Sequence, residues 1–199
     1  MTLFLLRNRN PQELASDNMI LRAPDARDYA EWKALRQASA EFLIPFEPLW
    51  PVDDLSRAGF KRRLGRYWRD AKSMAALTWF IFVPPEGLVG GLTLSNIRYG
   101  ASNSCQLGYW MGEVHAGKGI MRNAVQLVLN EAFGHLGLDR VEAATLPGNA
   151  RSINLLIRIG FQCEGFVRAY LEINGERRDH NLYAIVRADI ADIRAPVPV

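Results

Sequence analysis

Glu113-Val-His-Ala-Gly-Lys-Gly-Ile-Met-Arg-Asn-Ala124 is the stretch that decides the fold of this 199-residue chain. It predicts the end of a strand, a glycine loop and the start of a helix, and positions 114–130 contain no acidic residue. Gly117 and Gly119 permit a tight turn that exposes main-chain N–H groups, and the following helix adds the positive end of its dipole. Such a helix start binds phosphate or pyrophosphate, and Lys118 and Arg122 would strengthen that preference.

Two nucleotide-binding motifs with similar loops do not fit this stretch. The dinucleotide fingerprint needs a third glycine three residues after the second, and position 122 is arginine. A nucleoside-triphosphate loop needs Gly-Lys followed by Ser or Thr, but Lys118 is followed by Gly119. Another kind of phosphate site, or a strand-to-helix turn that binds no ligand, remains open.

The composition predicts one globular domain over residues 1–199, with a core at about 18–187 and a loose tail at 188–199. The net charge of +3 is too small to indicate nucleic acid as the primary ligand. No apolar run approaches the length of a membrane span. Cys105 and Cys163 are isolated and have neither metal-site nor redox spacing. We therefore expect a cytoplasmic protein without a metal, a membrane anchor or a direct nucleic-acid site.

Apolar patterning predicts three consecutive strands, at 75–83, 88–98 and 104–111, which short turns join into an antiparallel meander. The helix after the glycine loop should bury one stripe of side chains. That stripe comprises Met121, Val125, Val128 and Ala132, with Leu129 and Phe133 beside it.

The second half of the chain predicts a strand, a helix and a hairpin. Alternation at 141–145 indicates the strand, and the helix that follows has Asn149 as its N-cap and ends at Gly160. The hairpin pairs 167–173 with 176–186 around the favoured turn dipeptide Asn174-Gly175. The predicted fold is α/β (α+β), a mixed twisted sheet flanked by helices.

Two segments allow both structural and functional interpretations. Residues 42–51 hold three prolines among large apolar residues, and they form either a packed connector or one wall of a substrate cleft. Residues 53–72 predict a basic helix with Leu55, Phe60, Leu64 and Trp68 on one face. Its basic side chains are most simply interpreted as a solvated surface.

Several separated motifs, taken in order, resemble one family. Gly117-Lys-Gly119 and Asn149-Ala-Arg-Ser152, the latter followed by Gly160-Phe161, are similar to the two acetyl-CoA motifs of the GNAT N-acetyltransferases. Further motifs are similar to the RimJ/RimL branch, and most to RimJ-type ribosomal-protein-alanine N-acetyltransferases: Glu41-Phe-Leu43, Pro45-Phe-Glu-Pro48, Leu107-Gly-Tyr109, Glu164-Gly165, Tyr170-Leu-Glu-Ile-Asn-Gly175 and Asp179-His180. The resemblance extends from about residue 19 to residue 186.

This resemblance implies the GNAT acyl-CoA N-acyltransferase fold, with acetyl-CoA bound along one strand and the glycine loop. The residues implied to bind it are Leu107, Gly108, Tyr109, Trp110, Met111, Ala116, Gly117, Lys118, Gly119, Ile120, Met121, Arg122, Asn149 and Ser152. The acceptor would contact Phe42, Phe46, Glu47 and Trp50.

Two positions depart from the family pattern. The phosphate loop of the family usually begins with Gln or Arg and often ends with Gly or Ala, whereas this chain has Ala116 and Met121. The N–H groups of the loop remain, so we expect the cofactor to bind. Leu171 occupies the place of a catalytic glutamate proposed for RimL, and Glu172 is one residue away on the opposite strand face, so that base is not transferred.

The resemblance also implies direct attack of an amine on the thioester. A main-chain N–H of Tyr109 or Trp110 would polarise the thioester carbonyl. Ser152 or Tyr170 would protonate the departing thiolate, although Ser152 can also be a helix-cap residue and Tyr170 a packed aromatic. Glu47 is the candidate for contacting the amine or relaying its proton, unless it is a solvated loop acid. A structural role is expected for His180, and a covalent route through cysteine is disfavoured.

The sequence therefore predicts transfer of acetyl from acetyl-CoA to the N-terminal α-amine of a protein, expected to be a ribosomal protein that begins with Ala or Ser. One alternative is acetylation of a small amine such as an antibiotic or polyamine. A second alternative is an acyl-CoA-binding or ribosome-associated module with little turnover. The chain would act as a monomer or a homodimer.

Overall fold

Eight strands form one mixed sheet in the computed structural model of this protein, which describes residue 11 and residues 13–190. Their order across the sheet is β1-β2-β3-β4-β5-β6-β8-β7. In chain order the strands are β1 (Leu14–Ser16), β2 (Met19–Arg22), β3 (Leu77–Val83), β4 (Gly87–Arg98), β5 (Ser104–Met111), β6 (Arg140–Thr145), β7 (Gln162–Ile173) and β8 (Glu176–Val186).

Helices lie against both faces of this sheet. They are α1 (Tyr29–Ala38), α2 (Ala40–Leu43), α3 (Arg57–Lys72), α4 (Ile120–Asn130), α5 (Ala150–Ile159) and α6 (Arg187–Ile190). Short 3₁₀ turns occur at Ala26–Asp28, Ile44–Phe46 and Glu113–His115, and a π-helical turn at Glu131–His135 follows α4. No helix in the described ranges is both long and apolar enough to cross a membrane.

The strand pairing confirms the predicted meander. Strands β3, β4 and β5 pair in sequence and antiparallel, and β6 pairs antiparallel with β8. Among the strands of the described residues, β5 and β6 are the one parallel pair, because the connection between them crosses over through α4. The hairpin of β7 and β8 turns at Asn174 and Gly175, both of which have positive φ (48° and 82°), as a type I′ turn requires.

Two hydrophobic layers hold the helices to the sheet. One face packs against α4 and α5, and it buries the whole predicted stripe of α4: Met121, Val125, Val128, Leu129, Ala132 and Phe133. The other face packs against α1 and α3 through Trp32, Phe60, Phe80 and Leu88. The odd-numbered side chains Leu107 and Tyr109 of β5 belong to the first layer, whereas Trp110 belongs to the second.

Three details differ from the sequence-based expectations. Trp68 is 58% exposed, because each four-residue step along a helix turns by about 40° and carries position 68 away from buried Phe60. Strand β7 begins at Gln162, five residues earlier than predicted. Ile190 is buried in α6, so the chain packs beyond residue 187. The rest of the expected tail, 191–199, and the first ten residues lie outside the described part of the chain.

Candidate active site

A gap opens between the two parallel strands. The ladder between β5 and β6 consists of three pairs, the last of which is Gln106 opposite Glu142. Beyond it β6 pairs on its other side with β8 as far as Thr145, while β5 continues to Met111 beside β4. Over its last residues, the edge of β5 that faces β6 therefore has no strand partner among residues 11 and 13–190.

The direction of the main-chain groups on β5 decides which of them face this gap. The N–H of Gly112 donates to the carbonyl of Val89 at 2.9 Å, so it points towards β4. Because direction alternates along a strand, the N–H of Trp110 also faces β4, where Trp110 is paired with Gly91. The N–H groups of Tyr109 and Met111 face the gap. Of the two residues predicted to polarise a carbonyl, only Tyr109 has the required direction.

The glycine loop connects the end of β5 to α4. Gly117 and Gly119 have φ of 77° and 80°, which side chains disfavour, and a Cβ at either position would meet no atom within 4 Å. Gly119 is the N-cap of α4, and no side chain caps that helix. The N–H groups at 120–122 have no acceptor within the helix, because they belong to its first turn. The loop therefore offers open space lined by uncapped donors.

Charge around the loop favours an anion. The first turn of α4 has no acidic residue, and Lys118 and Arg122 are exposed beside it. Burial, and then the charge of Lys118, lowers the pKa of His115, so this ring is neutral at pH 7. The N–H of Ala116 is engaged, because it donates to the carbonyl of Glu113 at 3.0 Å. The set of available N–H donors thus begins at residue 117, one residue later than predicted.

Ser152 and Tyr109 meet on the α4–α5 face of the sheet. Asn149 caps α5 as predicted, since its Oδ1 accepts from the N–H of Ser152 at 3.1 Å. The Ser152 hydroxyl forms a 2.5 Å hydrogen bond with the Tyr109 hydroxyl. Burial raises the pKa of Tyr109 to about 12, so its phenol stays protonated at neutral pH. The two hydroxyls therefore form a hydrogen-bonded pair, able to donate a proton, next to the gap between β5 and β6.

Tyr170 lies on the opposite face and is not brought to Ser152. Its hydroxyl accepts a 3.3 Å hydrogen bond from Nε2 of Gln106, whose side chain points away from the face that Leu107 and Tyr109 occupy. The Tyr170 ring also meets His180 edge-on at 5.8 Å. Buried His180 bonds through Nδ1 to the carbonyl of Arg178, the structural role expected of it. The geometry thus separates the two candidate acids and places only Ser152 on the side of the glycine loop.

Glu47 is not a freely solvated loop acid. Arg36 donates to both of its carboxylate oxygens, at 2.8 and 2.6 Å, and the indole N–H of Trp50 donates to Oε2 at 2.7 Å. The Arg36 guanidinium also contacts two aromatic rings, with Cζ 4.2 Å from the centre of Trp50 and 5.1 Å from that of Trp110. Three donors occupy a carboxylate that can accept about four, so one acceptor position remains.

The proline-rich segment and the terminal hairpin meet across a pocket. The N–H of Asn174 donates to the main-chain carbonyl of Glu47 at 2.8 Å and joins the two segments. A pocket of about 650 Å³ lies between Phe46, the connection from β6 to α5 and the hairpin. Phe42 stacks under the guanidinium of Arg151 in the first turn of α5, at 3.9 Å. The predicted cleft wall therefore adjoins the helix that holds Ser152.

Cys105 does not resemble a nucleophile. Cys105 is fully buried, and burial, then the charge of Glu142, raises the pKa of its thiol to about 12. Cys163 is exposed on edge strand β7. Within residues 11 and 13–190, no group of three or more His, Cys, Asp or Glu side chains is arranged to hold a metal ion.

The sequence interpretation missed two side-chain partners. Arg36 is one turn after buried Trp32 on α1, and a basic residue on that apolar stripe is the available signal for a buried ion pair. The resemblance implies only a main-chain role for Tyr109, and nothing in the local pattern links its hydroxyl to Ser152, 43 positions away.

Comparison with known proteins agrees with this geometry. Residues 18–162 match the family described as acetyltransferase (GNAT) domain. The chain is 31% identical over 189 residues to the [ribosomal protein uS5]-alanine N-acetyltransferase of Escherichia coli K12, covering 94% of this chain and 97% of that protein. It superposes on Mycobacterium smegmatis RimJ in complex with CoA-disulfide with a TM-score of 0.85 at 30% identity, over 90% of each chain. For the Vibrio fischeri ribosomal-protein-S5-alanine acetyltransferase the TM-score is 0.82 at 27% identity, over 89% and 98%.

Proposed function

The chain belongs to the GNAT acetyltransferase family, and we propose that it transfers acetyl from acetyl-CoA to the N-terminal α-amine of a ribosomal protein that begins with alanine or serine. The observation that supports this most is the unpaired edge of β5 beside the uncapped start of α4. The Escherichia coli relative, a [ribosomal protein uS5]-alanine N-acetyltransferase, supports the choice of acceptor. The proposal places the reaction in the cytoplasm, in a single domain, and suits a monomer or a homodimer.

In this proposal the cofactor lies along β5 and the glycine loop. Acetyl-CoA supplies the activated acetyl group as a thioester. The main-chain donors at 117–122, with Lys118 and Arg122, hold its diphosphate. The edge of β5 pairs with its pantetheine amides as a neighbouring strand would. The remaining contacts come from residues that border the gap and α5: Leu107, Gly108, Trp110, Met111, Ala116, Asn149 and Ser152.

Tyr109 and Ser152 act on the reacting bonds. As the C–N bond forms and the C–S bond breaks, the N–H of Tyr109 donates to the carbonyl oxygen, where negative charge develops. Ser152 gives its hydroxyl proton to the departing sulfur. The Tyr109 hydroxyl, 2.5 Å away, holds Ser152 in position and returns a proton to it from solvent. Tyr170 takes no part in this step, since it lies across the sheet.

The acceptor amine approaches from the pocket that the proline-rich segment and the hairpin enclose. Glu47 uses its remaining acceptor position to orient the amine, while Phe42, Phe46 and Trp50 line the approach. The proton that the amine loses passes to water near Glu47. A protein α-amine has a pKa of about 8, so roughly a tenth is neutral at pH 7, whereas lysine at about 10.4 is far less reactive.

Acetylation of matched peptides tests the acceptor class. Mass spectrometry should compare three kinds of acceptor: peptides that begin with Ala or Ser, the same peptides with a blocked N-terminus and an internal lysine, and free polyamines. We expect acetylation of the free N-termini only, and of Ala- and Ser-starting peptides before bulky ones. Preferential acetylation of the polyamine or the lysine would replace the proposal with the small-amine alternative. A thermal shift with acetyl-CoA but no thiol release with any amine would indicate a binding module.

A further inference from the structure

The solvent-facing half of α3 is covered by positive charge. Helix α3 holds seven basic residues and one acidic residue, Asp70, and leaves 17 basic and 20 acidic residues for the rest of the chain. The small net charge of the protein therefore conceals a strongly uneven distribution of charge between α3 and the rest of the chain. We call the following exposed side chains the basic face: Arg57, Lys61, Arg62, Arg66, Arg69 and Lys72, with Trp68 among them.

This face is not explained by helix stability. Arg57 and Lys61, and likewise Arg62 and Arg66, are four residues apart, a spacing at which like charges destabilise a helix. Arg62 pairs with Asp53 at 2.5 Å, but Lys61, Arg66 and Arg69 form no ion pair within the described ranges. The helix is instead held by its other side, where Phe60 and Leu64 pack against the sheet layer. The unpaired cations are available to a partner.

Trp68 indicates the chemistry of that partner. Its indole is 58% exposed and lies on the side of the basic face next to Leu64, 5.1 Å from the ammonium of Lys72. Ala58 and Gly65 also lie on this side of the helix. Because they lack long side chains, the surface above them is a depression between the long basic side chains. An exposed planar aromatic beside a row of cations can stack on a nucleobase while the cations contact phosphates. A membrane surface would require more apolar side chains than this one indole.

We propose that the basic face of α3 binds RNA, with Lys61, Arg66 and Arg69 on phosphates and Trp68 stacked on an unpaired base. The choice of RNA over an acidic protein rests partly on the proposed function, because a ribosomal-protein substrate lies among ribosomal RNA. Binding there would hold the enzyme at the particle while the pocket, which other segments form, takes the N-terminus.

Two triple variants with equal charge change test the phosphate contacts. The first is Lys61→Gln/Arg66→Gln/Arg69→Gln, and the matched control is Lys33→Gln/Arg158→Gln/Arg168→Gln, three exposed residues that form no ion pair in the described part of the chain. Fluorescence anisotropy with a labelled RNA hairpin that has a single-stranded loop measures affinity across a salt series. Losing three phosphate contacts should weaken binding on the order of 100-fold near 0.1 M salt and reduce the log–log salt slope by about 2.

Trp68→Ala tests the stacking contact separately. It should lower affinity at least about fivefold and leave the salt slope unchanged, because a base contact releases no counterions. Equal binding by both triple variants would overturn the proposal. So would tighter binding of polyglutamate or of phosphatidylserine vesicles than of RNA.

Peptide acetylation distinguishes this proposal from the proposed function. All three variants should acetylate a free Ala-starting peptide like the natural protein, which also shows that they are folded. If the natural protein acetylates no peptide but binds RNA through α3, the proposed function fails and this inference stands. If it acetylates peptides but binds no RNA, the reverse holds.

Discussion

The ion pair between Arg36 and Glu47 is expected to decide both the stability of the protein and the position of the carboxylate that we propose contacts the acceptor amine. Their side chains are only 4% and 20% exposed, and two hydrogen bonds join them. Arg36→Met leaves the carboxylate with only the Trp50 indole as a side-chain donor. Removing one partner of a buried pair costs about 3–5 kcal/mol, and we expect about 3 here because a fifth of the Glu47 side chain still meets water.

A double-mutant cycle measures this coupling. Arg36→Met, Glu47→Gln and the double variant should be unfolded in urea and by heat. At 2–4 °C per kcal/mol for a chain of this size, Arg36→Met should lower Tm by about 6–12 °C. The double variant should be more stable than the sum of the single changes predicts, by about 2 kcal/mol or more, since it leaves no unpaired charge.

The same variants distinguish an effect on the position of the Glu47 carboxylate from an effect on the stability of the fold. At a temperature where all of them are folded, Arg36→Met should raise KM for an Ala-starting peptide and leave the Kd of acetyl-CoA unchanged, because the proposed role of Glu47 is to orient the acceptor amine. Additive effects in the cycle, or a loss below about 1 kcal/mol for Arg36→Met, would refute the view that this pair is buried and coupled. A change confined to acetyl-CoA affinity would refute the proposed role of Glu47 towards the acceptor amine.

Other contacts give further predictions. Ser152→Ala should lower kcat at least about tenfold at unchanged acetyl-CoA affinity, as loss of a proton donor does, and a drop in affinity alone in calorimetry would contradict that role. Gly119→Ala should weaken acetyl-CoA binding and cost about 1–2 kcal/mol of stability, because its φ of 80° strains any side chain; equal affinity would place the diphosphate elsewhere. As pH rises, kcat/KM should increase while the α-amine of the peptide loses its proton. The profile should have the same shape in Cys105→Ala, because burial raises the pKa of the Cys105 thiol to about 12. A limb of the profile that disappears in this variant would indicate a thiolate nucleophile.

Much of the fold was predictable because its signals are local. The three meander strands, the buried stripe of α4 and the turn at Asn174-Gly175 each follow from a few neighbouring residues and were confirmed. Trp68 was placed wrongly because an apolar residue at roughly helical spacing was assumed to face the core, although the 40° drift per four residues turns it outward.

The amino-acid sequence by itself determined the uncapped glycine loop, the cap at Asn149 and the family to which the chain belongs, since these depend on residue types at short spacing. Tertiary structure alone decided that Tyr109 rather than Trp110 presents its N–H to the gap, that Ser152 and Tyr170 lie on opposite faces, and that Arg36 holds Glu47. These facts depend on strand register and on helix packing, in which a one-residue shift reverses the direction of every group. Contacts between residues far apart in the chain leave no local pattern to read.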